Sequence, residues 1–234
     1  MVHQVARFSN AYSAWENWNL TSYEAKKEAL LSLQTTLQES MLHLSSVMAY
    51  HLQQAGKRLA KPYDLVGPTG ETNELYTAGR GVALLIQETP SRTAQQALVA
   101  QLTAALIAGN SVVVCSDDLE LTQALEAAFQ HSTMPANLLQ FVSYDAYQPL
   151  LASDVRSVGF VGSVDGERTL NRQLAQRAGA IVGLVSETDL SALPVAHDPN
   201  LVLRFITERT RTINVTAVGG NATLLELGNG TDHH

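Results

Sequence analysis

Short runs of apolar residues alternate along this chain with stretches of helical periodicity, and this alternation restricts its possible folds more than any other feature. Apolar runs of this length are typical of strands that are buried on both faces, as in parallel sheets. Helices between such strands indicate βαβ units, whose crossovers are almost always right-handed. We therefore predict an α/β fold with a mainly parallel, doubly wound sheet. The predicted strands are 81–86, 111–115, 138–142, 158–161 and 181–185, and the predicted helices among them are 93–108, 119–131 and 168–178.

A helical segment is predicted ahead of the sheet. Thr21 and Glu24 have the spacing of a capping box, in which Thr21 accepts a hydrogen bond at the start of a helix. Gly56 is predicted to end that helix, and residues 61–77 are predicted to be a linker because they are rich in turn residues. Between the two ends, apolar residues recur at steps of three and four and predict one stripe on a single long helix. The residues of the stripe are Leu30, Leu33, Leu37, Met41, Leu44, Met48 and Leu52.

The C-terminal part of the chain has the composition of a β-hairpin. Residues 209–217 are rich in Thr, Ile and Val, residues 218–221 are turn-like, and residues 222–227 can return as a second strand. Because a lone hairpin is marginal in water, we expect this one to dock on the sheet or on another chain. The predicted organisation is a helical segment 1–60, a Rossmann-like α/β domain 61–203, a C-terminal β-hairpin flap for oligomerisation 204–228 and a tail 229–234.

Composition argues against several classes of protein. The net charge is −7 and Lys and Arg form no block, which disfavours binding to nucleic acid. No apolar run approaches the roughly 18–20 residues that cross a bilayer, and residues 1–10 do not have the pattern of a secretory signal. Cys115 is the single cysteine, so no internal disulfide is expected, and His233 and His234 are interpreted as tail rather than as a metal site. We therefore expect a cytoplasmic protein with no membrane contact and no metal.

Several segments resemble the motifs of a known enzyme family. Ala14-Trp15 and the helix after it resemble the N-terminal helices of aldehyde dehydrogenases. Residues 105–114, Ala-Leu-Ile-Ala-Gly-Asn-Ser-Val-Val-Val, resemble its helix–strand unit, and Phe160-Val161-Gly162-Ser163 resembles its FTGS turn. The resemblance implies a Rossmann domain of the aldehyde-dehydrogenase type.

A narrower resemblance rests on residues 67–73, 170–175, 185–188 and 207–225. These segments resemble proline utilization A, the bacterial flavoenzyme family that oxidises proline to glutamate. Long members of that family carry an additional aldehyde-dehydrogenase-like domain and end in a motif similar to residues 207–225. The resemblance is closest to that C-terminal domain, and it implies a place in proline catabolism and a likeness to 1-pyrroline-5-carboxylate dehydrogenase.

Aldehyde oxidation in the family needs a thiolate nucleophile, an oxyanion donor, a general base and NAD. The resemblance puts Cys115 where the family has a lysine that contacts the cofactor, whereas the catalytic cysteine belongs to a second domain. Too few residues separate Glu187 from the C-terminal motif to build that domain, so we expect it to be missing. Residues 87–92 also do not contain the asparagine that donates to the oxyanion. Cys115 is therefore expected to be a buried, apolar residue rather than a nucleophile.

Three positions of the family's site retain matching residues. Glu187 matches the general base, and Gly162 and Ser163 match the turn that holds the cofactor phosphate at a helix N-terminus. Glu187 is expected to be a vestigial base with a capping or surface role. Asp117 and Asp118 are expected to repel a phosphate by roughly 1 kcal/mol each. No catalytic residue and no bound cofactor are expected, and NAD is the one cofactor that Gly162 and Ser163 could hold.

Three hypotheses for function follow. The first is a non-catalytic accessory or oligomerisation domain of proline catabolism, which forms a homo-oligomer such as a dimer, or binds a proline utilization A protein, through its hairpin. The second is an NAD-dependent 1-pyrroline-5-carboxylate (glutamate semialdehyde) dehydrogenase, and the third is a nucleotide-binding sensor. The residues predicted to mediate oligomerisation are Arg209, Thr210, Arg211, Thr212, Ile213, Asn214, Val215, Gly219, Gly220 and Asn221.

Overall fold

The computed structural model describes residues 2–67 and 70–214. Its helices are α1 (Val2–Leu20), α2 (Tyr23–Ser40), α3 (Leu42–Leu59), α4 (Arg92–Ile107), α5 (Leu119–Gln130), α6 (Tyr147–Leu150) and α7 (Val164–Ala175). Its strands are β1 (Tyr63–Leu65), β2 (Glu71–Gly79), β3 (Val82–Gln87), β4 (Ser111–Cys115), β5 (Leu139–Val142), β6 (Val155–Val161), β7 (Gly183–Glu187) and β8 (Ile206–Asn214). Short 3-10 helices cover Tyr144–Ala146 and Leu201–Arg204.

The predicted parallel sheet is confirmed. Five strands lie in the order β5-β4-β3-β6-β7, and every neighbouring pair is parallel. The chain starts the sheet at its centre with β3 and then builds outward to both edges, as in doubly wound folds.

The apolar strands are buried on both faces because helices cover both. Along β3, side chains alternate between two apolar clusters: Ala83 and Leu85 contribute to one, and Leu84 and Ile86 to the other. The first cluster is built mainly with α2, α3, α4 and α5, and the second with α1, α6 and α7. This two-sided burial explains why the strands read as continuous apolar runs rather than as alternating ones.

The N-terminal stripe lies on two helices instead of one. Met41 has non-helical backbone angles, φ −139° and ψ 68°, and ends α2 while it starts α3. The amide of Met41 still donates to the Leu37 carbonyl at 2.8 Å, so the stripe continues across the break and the sequence pattern does not reveal it. Ser22, not Thr21, caps α2 by accepting from the Ala25 amide at 3.3 Å. Gly56 lies inside α3, which ends at Leu59.

Residues 61–77 form strands where a linker is predicted. β1 pairs with β2 in antiparallel fashion, and β8 completes a three-stranded sheet in the order β1-β2-β8. The described residues divide into two compact units, of which one comprises residues 2–60 and 78–207 and the other residues 61–67, 70–77 and 208–214. The helical segment 1–60 therefore belongs to the same unit as the parallel sheet. The physical reason is that these helices pack against the helices of the sheet. Trp18 of α1 belongs to the same apolar cluster as α4, and its indole donates to the Leu106 carbonyl at 2.8 Å.

Four elements begin two or more residues from the predicted position. β6 starts at Val155 rather than at residue 158. α7 starts at Val164 rather than at residue 168, because Ser163 caps it by accepting from the Gly166 amide. β7 is displaced by two residues and ends at Glu187. β8 starts at Ile206, before the predicted residue 209. The predicted turn 218–221, the return strand 222–227 and the tail 229–234 lie outside the described residues.

Candidate functional site

The carboxyl ends of the parallel strands bring the family's site positions to one edge of the sheet. Residues that follow β3, β4, β6 and β7 meet there, and ligands of doubly wound folds bind at this edge. The side chains that decide what the edge can bind are Glu88, Cys115, Asp118, Ser163 and Glu187.

Cys115 is the last residue of β4 and is fully buried. It lies opposite Ile86 of β3 and Val142 of β5 in the sheet register, within an apolar cluster that includes Phe160. Burial raises the pKa of its thiol well above the ordinary value. A protonated thiol that is enclosed by apolar side chains is a poor nucleophile, because the thiolate is the reactive form.

Asp118 is buried in a hydrogen-bond network instead of facing a ligand. Its carboxylate caps α5 by accepting from the Leu121 amide at 3.1 Å and also accepts from the Gln95 side chain at 3.0 Å. The hydroxyl of Ser116 donates to the Gln87 side chain at 2.7 Å and thereby extends the network to β3. The expectation that both acids are charges facing a phosphate is therefore wrong for Asp118, whose partners sequence reasoning did not identify.

Asp117 has its own partner at the same edge. Its carboxylate accepts from the Tyr144 amide at 3.0 Å and so holds the turn that follows β5. A polar residue directly after a strand, such as Asp117 or Asp118, is typical of a helix cap as well as of a ligand site. The sequence alone does not distinguish these two roles.

Gly162 and Ser163 form the turn between β6 and α7, where the sequence places a phosphate. The amide of Ser163 donates to the carboxylate of Glu88 at 2.6 Å, and the Ser163 hydroxyl accepts from the Gly166 amide at 3.0 Å. Glu88 directly follows β3, and its own amide donates to the Val161 carbonyl at 2.9 Å. The chain's own carboxylate thus lies at the helix N-terminus.

The glycines of this turn make room for that carboxylate. A Cβ added at Gly162 would lie 2.6 Å from Glu88 Oε2, and one added at Gly166 would collide with Glu88 Oε1. Close approach of an anion to glycine backbone is the arrangement that dinucleotide-binding turns use for a phosphate. Here the anion that makes this approach is Glu88, a residue that sequence reasoning did not single out.

Glu187 ends β7 and is buried, with an exposed fraction of 1%. Its Oε2 accepts from the amides of Val195 and Ala196 at 2.7 and 3.0 Å, and its carbonyl accepts from the Gly162 amide at 3.2 Å. Among the described residues its Oε1 has no partner. Glu187 therefore fixes the loop after β7, and the surface role that the sequence leaves open for it does not apply.

The residues at this edge do not fit a dinucleotide. A phosphate at the N-terminus of α7 would meet the Glu88 carboxylate, and an adenosine at the end of β4 would meet the closed network around Asp118. A phosphate next to the Glu88 carboxylate would be repelled, because like charges repel strongly in a partly buried site. The side-chain donors of Gln87, Gln95 and Ser116 are directed to partners within the network around Asp118.

The predicted oligomerisation residues are described in part. Residues 209–213 of β8 are exposed, whereas Val215, Gly219, Gly220 and Asn221 lie outside the described residues. The Arg211 guanidinium forms an ion pair with Glu74 of β2, and Thr212 donates to Asn73 at 2.5 Å. These side chains tie β8 to β2 across the three-stranded sheet.

Two further classes of site are not found in residues 2–67 and 70–214. No group of three or more His, Cys, Asp or Glu side chains is placed to bind a metal ion. In the same ranges, no helix is both long and apolar enough to span a bilayer.

Comparison with models of known protein families finds no match. Curated relatives do match, and they are bifunctional PutA proteins. The protein of Salmonella typhimurium strain LT2 is 27% identical over 225 residues, which covers 91% of this chain and 15% of the relative. The protein of Rhizobium meliloti is 32% identical over 170 residues, which covers 70% of this chain and 12% of the relative. The chain thus spans only a small part of the length of either.

Solved structures give the same relation. A mutant of proline utilization A from Bradyrhizobium japonicum is 27% identical, has a TM-score of 0.71, and is matched over 82% of this chain and 23% of its own. A 3,6-anhydro-L-galactose dehydrogenase in complex with NAP is 20% identical with a TM-score of 0.60, over 76% of this chain and 42% of its own, and shares the fold. The chain is therefore similar in sequence and fold to a part of the proline utilization A proteins, and it shares its fold with the 3,6-anhydro-L-galactose dehydrogenase.

Proposed function

We propose that this chain is a non-catalytic, aldehyde-dehydrogenase-like accessory domain of proline catabolism, which acts by assembly rather than by turnover. The observation that carries the proposal is the position of Cys115, the single cysteine of the sequence, inside the parallel sheet. Acyl transfer needs a thiolate that an aldehyde can reach, and burial both blocks access to this thiol and raises its pKa.

The connection from β7 to β8 supports the same proposal. Residues 188–205 form turns and one short 3-10 helix, and Leu193, Leu201 and Phe205 bury their side chains in the core of the parallel-sheet unit. The family's catalytic domain is expected between these strands, and this connection has no room for it. The acid that matches the general base, Glu187, is meanwhile bonded to the backbone of the connection.

In this proposal β8 provides the assembly surface. It is an outer strand of the three-stranded sheet in the described part of the chain, and outer strands can pair with a strand of another chain. Ile213, which is half exposed on β8, adds an apolar side chain to this surface. We assign a second copy of this chain as the partner, and the alternative partner is a proline utilization A protein.

Turnover tests the non-catalytic part of the proposal. Purified protein is mixed with glutamate semialdehyde and NAD, and formation of NADH is followed by absorbance. We expect no NADH above the rate without protein, and the same result for Cys115→Ala. NADH production that Cys115→Ala abolishes would instead establish the dehydrogenase hypothesis.

Oligomeric state tests the assembly part. Size-exclusion chromatography with light scattering is run on the chain alone and after mixing with a proline utilization A protein. We expect a dimer that Ile213→Asp converts to monomer, whereas Leu20→Asp, an exposed apolar position on α1, leaves it unchanged. A monomer that also fails to bind proline utilization A would rule out assembly as the function, and a mixed complex would identify the alternative partner.

A further inference from the structure

The N-terminus of α7 already carries an anion, and this anion is part of the chain. We propose that the carboxylate of Glu88 is an intramolecular substitute for the cofactor phosphate, and that it excludes nucleotides from the turn that the family uses to bind them. This inference is independent of the assembly proposal, because it concerns the carboxyl edge of the sheet and not β8.

Glu88 makes contacts that suit an anion at a helix N-terminus. The Ser163 amide donates to Oε2 at 2.6 Å, a short distance that is typical of a charge-assisted hydrogen bond. Oε1 lies against the backbone of Gly166, where a Cβ would collide with it. The positive end of the α7 dipole therefore faces a fixed negative charge, and this arrangement is electrostatically favourable.

The sheet fixes Glu88 in this position. Gln87, the last residue of β3, lies opposite Val161 of β6, and the Glu88 amide continues the ladder by donating to the Val161 carbonyl. Because the backbone of Glu88 is held against a neighbouring strand, its side chain reaches the turn and no flexible loop has to become ordered first. A phosphate would have to displace it and would then lie beside its charge.

Charge near the turn adds to this exclusion. Asp165 and Glu167 lie in the first turn of α7, so the loss of Glu88 would still leave an acidic neighbourhood. The network of Asp118, Gln95 and Gln87 would remain closed at the end of β4. Opening the turn is thus expected to admit a phosphate or pyrophosphate group but not to restore a complete dinucleotide site.

The test compares Glu88→Ala with the wild-type chain by titration calorimetry at low ionic strength, with inorganic pyrophosphate and NAD as separate probes. The wild type should bind neither probe. Glu88→Ala should bind pyrophosphate at least about tenfold more tightly than the detection limit that the wild type sets, because a charge next to the ligand has been removed. NAD should gain no more affinity than pyrophosphate does.

Glu120→Ala is the matched control, because Glu120 is an exposed acid in the first turn of another helix at the same edge. It should leave pyrophosphate binding as in the wild type. Amide spectra should show shifts at Ser163 and Gly166 when pyrophosphate is added to Glu88→Ala. If Glu88→Ala loses its melting transition, Glu88→Gln keeps the shape without the charge and should still bind more tightly than Glu120→Ala.

Two results would overturn the proposal. One is a wild-type chain that binds pyrophosphate or NAD as tightly as the Glu88 variants do. The other is a folded Glu88→Ala that does not bind pyrophosphate. Either result would leave the turnover and assembly experiments unaffected, so the two proposals can fail separately.

Discussion

Lys26 is the buried lysine of α2, and its ammonium group is set against the end of another helix. Its Nζ donates to the Asn19 carbonyl at 3.3 Å, and it lies so near Gly109 that a Cβ there would come within 3.1 Å of it. Gly109 follows the last turn of α4, where the negative end of the helix dipole favours a cation. Burial opposes this, because it removes water from the ammonium group.

The balance at Lys26 predicts a pH dependence of stability. Burial lowers the pKa of Lys26 from 10.5 to about 8. Between these values the unfolded chain holds a proton that the folded chain has released, so the free energy of unfolding rises as the pH goes from 8 to 10.5. The rise should reach at most about 3 kcal/mol. Urea unfolding at several pH values, compared between the wild type and Lys26→Met, measures it.

The comparison with Lys26→Met is necessary because Cys115 acts in the opposite direction. Burial raises the pKa of its thiol, so ionisation in the unfolded chain lowers stability above about pH 9 in both proteins. Lys27→Met is the control, since Lys27 is adjacent in sequence and exposed. If Lys26→Met showed the same pH dependence as Lys27→Met, the ammonium group of Lys26 would have to be hydrated in the folded chain.

Glu187 has a structural role that substitution should expose. Glu187→Ala leaves the buried Ala196 amide and the half-buried Val195 amide without their acceptor, and each unpaired amide costs about 1–3 kcal/mol. We expect a loss of about 2–4 kcal/mol in the free energy of unfolding, measured in urea. Glu16→Ala, at an exposed position of α1, should change it by less than about 0.5 kcal/mol. A Glu187→Ala protein as stable as Glu16→Ala would show that water replaces the carboxylate.

Elements differ in how well the sequence predicts them, and the differences have physical causes. The strand 111–115 is predicted with the observed limits, because it is buried on both faces and apolar at every position after Ser111. The strands in residues 61–77 are not predicted, since β1 is exposed, β2 is mostly half-buried, and the third strand of their sheet, β8, is far away in sequence. The break at Met41 is hidden because it preserves the spacing of the apolar stripe. The partners of Glu88 and Glu187 are also long-range contacts, which no local pattern encodes.

Gly56 gives a test of the boundary of α3. If it ended the helix, as the sequence predicts, its backbone would favour a conformation that alanine resists. Inside the helix, Gly56→Ala should instead raise the free energy of unfolding by up to about 1 kcal/mol. The Tyr23 hydroxyl, 3.3 Å from the added Cβ, has only to move slightly. Thermal or urea unfolding measures the change, and a clear loss of stability would favour a helix end at Gly56.

Gly79→Ala is the contrasting substitution. A Cβ at Gly79 would collide with the backbone of Gly109, so the end of β2 and the end of α4 would have to separate. We expect a loss of more than about 2 kcal/mol, as for other substitutions that overfill a packed core. If both glycine variants changed the free energy of unfolding by a similar small amount, the backbones of Gly79 and Gly109 would have to separate easily.

At the scale of the whole molecule, the chain keeps the parallel sheet of its relatives while the groups at the functional edge bond to one another. Asp118 binds side chains from β3 and α4, Glu88 binds α7, and Glu187 binds the loop after β7. Each of these contacts joins different elements of the fold. The side chains of the chain itself therefore hold this edge of the sheet together, which supports the proposal of a domain that acts by assembly.

Cys115 reports on the stability of the whole unit, because its sulfur is enclosed by the central strands and by the helices on one face. A disulfide reagent such as Ellman's should label it only when the sheet opens, at a rate proportional to the unfolding equilibrium constant. Glu187→Ala should then accelerate labelling by about 30-fold for each 2 kcal/mol of lost stability. Saturating NAD should not change the rate in the wild type, since a ligand that does not bind cannot stabilise the folded state. Immediate labelling of the native wild-type protein would place the thiol in contact with solvent and would remove the main argument against catalysis.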